Sequence, residues 1–111
     1  MSFAQKTEKL VQELIQAEYK NACEKFGETY HSLHEGYAVL LEEVEEVEQE
    51  KKLLDINIAS IWYRIKQNEL NEDDIKQALN HMMYTMQELA QVGAVFIKMQ
   101  NTLEKKSEEN A

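Results

Sequence analysis

Ser32-Leu33-His34-Glu35-Gly36-Tyr37-Ala38-Val39-Leu40-Leu41 reads as the start of a long helix. Ser32 is placed to accept a hydrogen bond from the Glu35 amide while the Glu35 side chain reaches back, a reciprocal capping box. Nothing from Tyr37 to Gln67 has to break the helix. Tyr37, Leu40, Leu41, Val44, Val47, Leu54, Ile58, Ile61, Trp62 and Ile65 recur mostly at three- and four-residue steps. Lys51-Lys52 interrupts that stripe, so a kink or short break is expected near there.

Upstream, apolar positions from Phe3 to Phe26 predict a first helix over about Ser2 to Phe26, stopped by Gly27. Gly27 to His31 is a loop. Downstream, Asn68 to Asn71 is a turn, and Asn71 with Asp74 caps a last helix running from about Glu72 to Lys105. Ile75, Leu79, Met82, Met86, Leu89, Gly93, Phe96 and Gln100 share one face of it. The polar residues Lys106 to Ala111 read as a frayed tail. The chain has no proline and only three glycines, too little punctuation for strands and turns. The expectation is an all-α fold of three long helices, or four with a break near Lys51. Residues 1–105 would form one antiparallel bundle and 106–111 the tail.

Between Met82 and Met99 the opposite face of the last helix is also apolar, with Tyr84, Val92, Val95 and Met99. A helix that is apolar all round is buried on both sides. Either the first helix covers Val92 and Val95 or a partner chain does. The partner chain is preferred, which predicts a homodimer or higher oligomer that completes the bundle.

Composition narrows the function classes. The 111 residues suit one domain, and 43% hydrophobic with 30% charged residues is globular rather than disordered. A net charge of -9 argues against nucleic-acid polymers as partners, because phosphate backbones need clustered Lys and Arg. The same charge is compatible with a divalent cation. Cys23 is the single cysteine, so no internal disulfide forms and a reducing interior is expected. With no signal-peptide pattern and no membrane-spanning apolar run, the expected location is cytoplasmic and away from membranes. Three scattered histidines and Cys23 make a poor zinc set. No glycine-rich phosphate loop is present. Trp62 and the methionines read as core packing.

The chemistry-bearing stretch is Leu41-Glu42-Glu43-Val44-Glu45-Glu46-Val47-Glu48-Gln49-Glu50. At about 100° per residue, Glu43, Glu46 and Glu50 fall on one arc beside Val39, while Glu42, Glu45 and Gln49 lie further round. Like charges stacked on one arc repel by roughly a few tenths of a kcal/mol per pair. An oxygen-seeking cation such as magnesium, or manganese, would remove that penalty. Glu88, in Met86-Gln87-Glu88-Leu89-Ala90-Gln91, shares its arc with Tyr84, Gln91 and Val95. A carboxylate on a buried face needs a cation or a donor, and Tyr84 or His81 could supply the latter. If the second and last helices pack antiparallel, Glu88 sits across from Glu43 and Glu46 and adds an oxygen to a shared metal site.

Glu42-Glu43-x-x-Glu46 followed by Glu88-x-x-Gln91 resembles the signature of the MazG-like all-α nucleoside triphosphate pyrophosphohydrolases, in which an EExxE helix and a later ExxD helix bind magnesium. His34-Glu35-Gly36-Tyr37-Ala38-Val39-Leu40-Leu41 also resembles small MazG-like proteins of phages and their bacterial hosts. The resemblance covers roughly Ser32 to Met99. It implies magnesium-dependent attack of water between the α and β phosphates of a nucleotide substrate, giving a nucleoside monophosphate and pyrophosphate. It further implies Glu43, Glu46 and Glu88 as metal ligands with Gln91 a weaker one, and Glu42 or Glu50 as the base. Arg64, Lys66 and Lys98 are the cations considered for phosphate contact, each also readable as an ordinary surface charge. Gln91 stands where the family has aspartate, and 41 residues separate Glu46 from Glu88, more than the family usually shows. Both departures bear on turnover more than on fold. They leave room for a weak or inactive member, or for a non-catalytic helical interaction module.

Overall fold

The computed structural model describes residues 2–110; Met1 and Ala111, the outer ends of the expected domain and tail, lie outside it. Three helices account for nearly all of these residues: α1 (Phe3–Phe26), α2 (Leu33–Lys66) and α3 (Glu72–Glu109). No strand occurs among the described residues, and no helix is long and apolar enough to cross a membrane.

Local chemistry fixes the helix ends. Ser2 caps α1, its hydroxyl accepting from the Gln5 amide while the Gln5 side chain accepts from Ser2 N. Gly27 ends α1 at φ +83°, a conformation that residues with a Cβ rarely adopt. Ser32 accepts from Glu35 N at 3.1 Å, but the expected return bond from the Glu35 side chain is not formed. Asn71 and Asp74 form the full reciprocal cap of α3. Asn68 turns the chain with φ +56°, which asparagine tolerates better than most residues.

α2 runs unbroken through Lys51-Lys52, so the three-helix alternative holds. Lys51 is an exposed residue whose ammonium pairs with Asp55 one turn on, at 2.7 Å, and its polarity interrupts the stripe without interrupting the backbone. α3 likewise continues four residues past the expected end at Lys105, since Lys106 to Glu109 are polar but contain no helix breaker.

α3 is the central element, touching both α1 and α2, whereas α1 and α2 do not pack on one another. Against α2 it runs antiparallel. Gly36 lies beside Met99, Glu50 beside His81, and Arg64 pairs with Asp74 at 3.1 Å. α1 crosses the other side of α3 where Gly93 leaves space for Ile15; a Cβ on Gly93 would lie 2.9 Å from Ile15 Cγ2. On the second apolar face Val95 is buried, Val92 is half-buried and Met99 meets Gly36 of α2, while Tyr84 stays 52% exposed. Most of that face is therefore covered within the chain.

The residues that bury best are mostly small or polar: Ala90, Ala94, Val95, Thr85, Thr102 and Lys98. The stripe expected to be core, Ile75, Leu79, Met82, Met86, Leu89 and Phe96, stays about half exposed, Leu79 at 56%. Trp62 on α2 is 60% exposed rather than core, with the Lys66 ammonium 5.6 Å from its ring. The molecule is a slab of 67 × 36 × 20 Å with large side chains left on its faces.

Candidate metal centre

The antiparallel register brings Glu43 and Glu46 on α2 opposite Glu88 on α3. Each offers one carboxylate oxygen, and these three oxygens lie within 4.8 Å of one another. Glu43 and Glu88 are half-buried and Glu46 is exposed, so the cluster sits at the rim of the α2–α3 interface.

Its electrostatics follow from that placement. Burial, then the charges of Glu46 and Glu88, push the Glu43 carboxyl up to about 7. Glu88 is raised by burial first and by the neighbouring Glu46 carboxyl next, with Glu50 and Glu18 adding smaller repulsions. Three ionised carboxylates at this spacing are mutually repulsive, and either a proton or a cation relieves them.

Gln91, one turn beyond Glu88, reaches the same cluster. Its amide end lies 3.3 Å from Glu43 Oε2 and 3.0 Å from Glu88 Oε2. With the nitrogen turned inward it donates to both carboxylates. With the carbonyl turned inward it becomes a fourth oxygen, an arrangement favourable around a cation or when Glu43 or Glu88 carries a proton to donate. The donor set is thus all oxygen, three carboxylates and one amide, which suits a hard divalent ion such as magnesium or manganese.

The remaining expected site residues part company. Glu50, expected on the arc of Glu43 and Glu46, lies instead against His81, with Oε2 3.5 Å from Nδ1. His81 therefore serves Glu50 and not Glu88. Glu42 lines a cavity of about 650 Å³ bounded by all three helices, together with Glu43, Gln91, Val39 and Val95. Arg64 is tied to Asp74 and Lys66 lies over Trp62, both far along α2 from the cluster.

Lys98 corrects its reading as a surface cation. It is 6% exposed and lines the same cavity, with its ammonium 4.4 Å from the centre of the Tyr30 ring. Tyr30 was not singled out from the sequence. Its backbone N–H donates to Thr102 Oγ1 at 2.9 Å, which pins the α1–α2 loop onto α3, and its hydroxyl is pushed up first by burial and then by Glu43. A tyrosine in a six-residue loop carries no periodic signal that could have flagged it.

Comparison of the chain with protein-family models, curated proteins and solved structures returns no match in any of the three.

Proposed function

We propose that the protein is a magnesium-dependent nucleotide pyrophosphohydrolase of the MazG-like kind, cleaving nucleoside triphosphates to monophosphate and pyrophosphate. The observation that carries this reading is the convergence of Glu43, Glu46 and Glu88 from two helices beside a cavity of about 650 Å³, large enough for a nucleotide. Glu43, Glu46 and Glu88 would hold the ion, with the Gln91 carbonyl as a neutral fourth ligand. When bound, magnesium neutralises phosphate charge and acidifies water. Glu42, at the cavity wall, is the better placed base, since Glu50 is engaged with His81. It would take the proton from a water whose oxygen attacks the α phosphorus. The bond to the bridging oxygen then breaks and pyrophosphate leaves. Incubating the protein and magnesium with a panel of nucleoside triphosphates should give both products; absence of both from every triphosphate would end this reading.

A non-catalytic interaction module is the second reading. One observation favours it: with its nitrogen inward, Gln91 satisfies Glu43 and Glu88 with no metal at all. The two readings separate on magnesium, because only the metal site predicts a magnesium-specific rise in melting temperature.

Self-association is part of the same proposal. A compact monomer of 13.0 kDa exposes about 6,300 Å², whereas this chain exposes 8454 Å². The excess of roughly 2,100 Å² is more than twice the ~800 Å² that each partner of a stable pair usually buries. A second copy laid on the Leu79–Met82–Met86 stripe would close the α2–α3 hairpin into a four-helix bundle. The double variant Leu79→Glu, Met86→Glu should therefore sediment as a monomer at concentrations where the wild type is a dimer or larger. A wild type that is monomeric at micromolar concentration refutes the pairing.

A further inference from the structure

The α2–α3 contact repeats every seven residues, and the repeat sets where the outer rows of the hairpin face. On α2 the contacts fall on Gly36, Glu43, Glu50 and Arg64, and on α3 on Asp74, His81 and Glu88. Each further residue turns about 100° round a helix. Because the two helices are antiparallel, the rows one residue further on lie on the same side of the hairpin. On α3 that row is Ile75, Leu79, Met82, Met86 and Leu89, with Ile75 and Leu89 seven residues to either side of Met82. On α2, Tyr37, Val44, Lys51, Ile58 and Ile65 follow at seven-residue steps, and Glu48 and Asp55 stand one turn to either side of Lys51. All of these residues are exposed. Both rows are therefore nearly symmetric in character about their centres, Lys51 and Met82. Glu50 lies beside His81, so the two centres stand at one level.

A row that reads alike in both directions can pair with a reversed copy of itself, which is the contact a two-fold axis makes. We infer that two copies pair face to face about a two-fold axis crossing the hairpin at Lys51 and Met82. α2 then lies antiparallel on α2 and α3 antiparallel on α3, and the Glu48–Lys51–Asp55 cluster selects that orientation. The inference rests on the self-association proposed above and not on the metal. Lys51 comes to lie between Glu48 and Asp55 of the partner subunit, while Met82 packs at the centre of the apolar half. The other orientation, α2 over α3, would press three charges onto the Met82 row, and buried charges without partners are costly. Charges at such positions set orientation and partner choice. Glu35, Glu42 and Ala94, one residue before the contact row, line the cavity, which therefore opens on the opposite face and stays free in the pair.

Sedimentation of charge variants tests this. Lys51→Glu leaves only acids at the middle of the α2 row, and the double variant Glu48→Lys, Asp55→Lys leaves only lysines. Each alone should pair about ten- to a hundredfold more weakly than the wild type. Mixed in equal amounts, the two should recover pairing near the wild-type level as heterodimers. The positions are exposed, so helix content and any magnesium-induced rise in melting temperature should stay wild-type. In a Cys23→Ser background, Met82→Cys should oxidise to a disulfide-linked dimer, because the axis brings the two thiols together. Ile75→Cys should link only when mixed with Leu89→Cys. Charge variants that pair as tightly as the wild type, a mixture that recovers nothing, or an Ile75→Cys that links to itself as readily as Met82→Cys overturns this orientation. If Leu79→Glu, Met86→Glu still breaks the pair in that case, self-association stands and only its symmetry is wrong. A wild type that never pairs ends both.

Discussion

Glu88→Gln is expected to yield no monophosphate or pyrophosphate from any triphosphate and to show no magnesium-induced rise in melting temperature, while its helix content matches the wild type. Among the described residues Glu88 is the only α3 carboxylate in the cluster, so its loss leaves two carboxylates from one helix with only neutral amides opposite them. The wild type at a magnesium concentration of about a hundred times the dissociation constant should gain about 2.7 kcal/mol. For a domain of this size that corresponds to a rise on the order of 10 °C or more. Turnover in the variant should fall by at least two to three orders of magnitude, as when electrostatic stabilisation of a transition state is lost. Gln91→Asp supplies the opposite change. A fourth charge in contact with Glu43 and Glu88 should tighten magnesium and make the metal-free protein less stable. A Glu88→Gln protein that keeps both the magnesium response and turnover would detach the acidic cluster from function.

Residues whose effect is local were legible from the sequence. Gly27, Ser32 and Asn71 mark helix ends because capping depends on a few consecutive residues. The meeting of Glu43, Glu46 and Glu88 was legible too, because helical periodicity sets the arc and an antiparallel hairpin sets the register. What periodicity does not say is which neighbour covers a face. Leu79, Met82 and Met86 form a real stripe, yet the residues that α3 buries are small ones, Ala90, Ala94 and Thr102, with α1 entering at Gly93 and the α1–α2 loop at Thr102. Glu50 shares the arc of Glu43 only approximately: seven residues of an α-helix fall about 20° short of two turns. That is two turns further along α2, where the opposing residue on α3 is His81 and not Glu88. Lys98 looked like a surface lysine because its burial depends on Tyr30 and on the end of α1, both 68 or more residues away in sequence.

The acidic cluster should cost the metal-free protein stability as pH rises, with Glu43 a separable part of the loss. A carboxyl whose value is raised on folding binds its proton more tightly in the native state than in the unfolded chain. The stability it contributes is full below the ordinary value of 4.5 and is lost as pH rises through about 7. Glu42 and Glu46 on α2 and Glu88 on α3 supply the repulsion, with Glu88 itself pushed in the same direction by burial and by Glu46, Glu50 and Glu18. Gln91 moderates it when its nitrogen faces inward. In chelator-containing buffer, the difference in melting temperature between Glu43→Gln and the wild type isolates this contribution, because titrations elsewhere in the chain cancel. The difference should be small near pH 4.5 and should favour the variant by on the order of 1 kcal/mol at pH 8, less than the full shift implies because water screens a half-buried carboxyl. Magnesium should reverse the order at pH 8, stabilising the wild type and leaving the variant nearly unchanged. At pH 5 protons compete for the same oxygens, so the magnesium effect should shrink. A wild type and a Glu43→Gln variant that melt in parallel from pH 4.5 to 8 would mean that the three carboxylates do not share one charged site in solution.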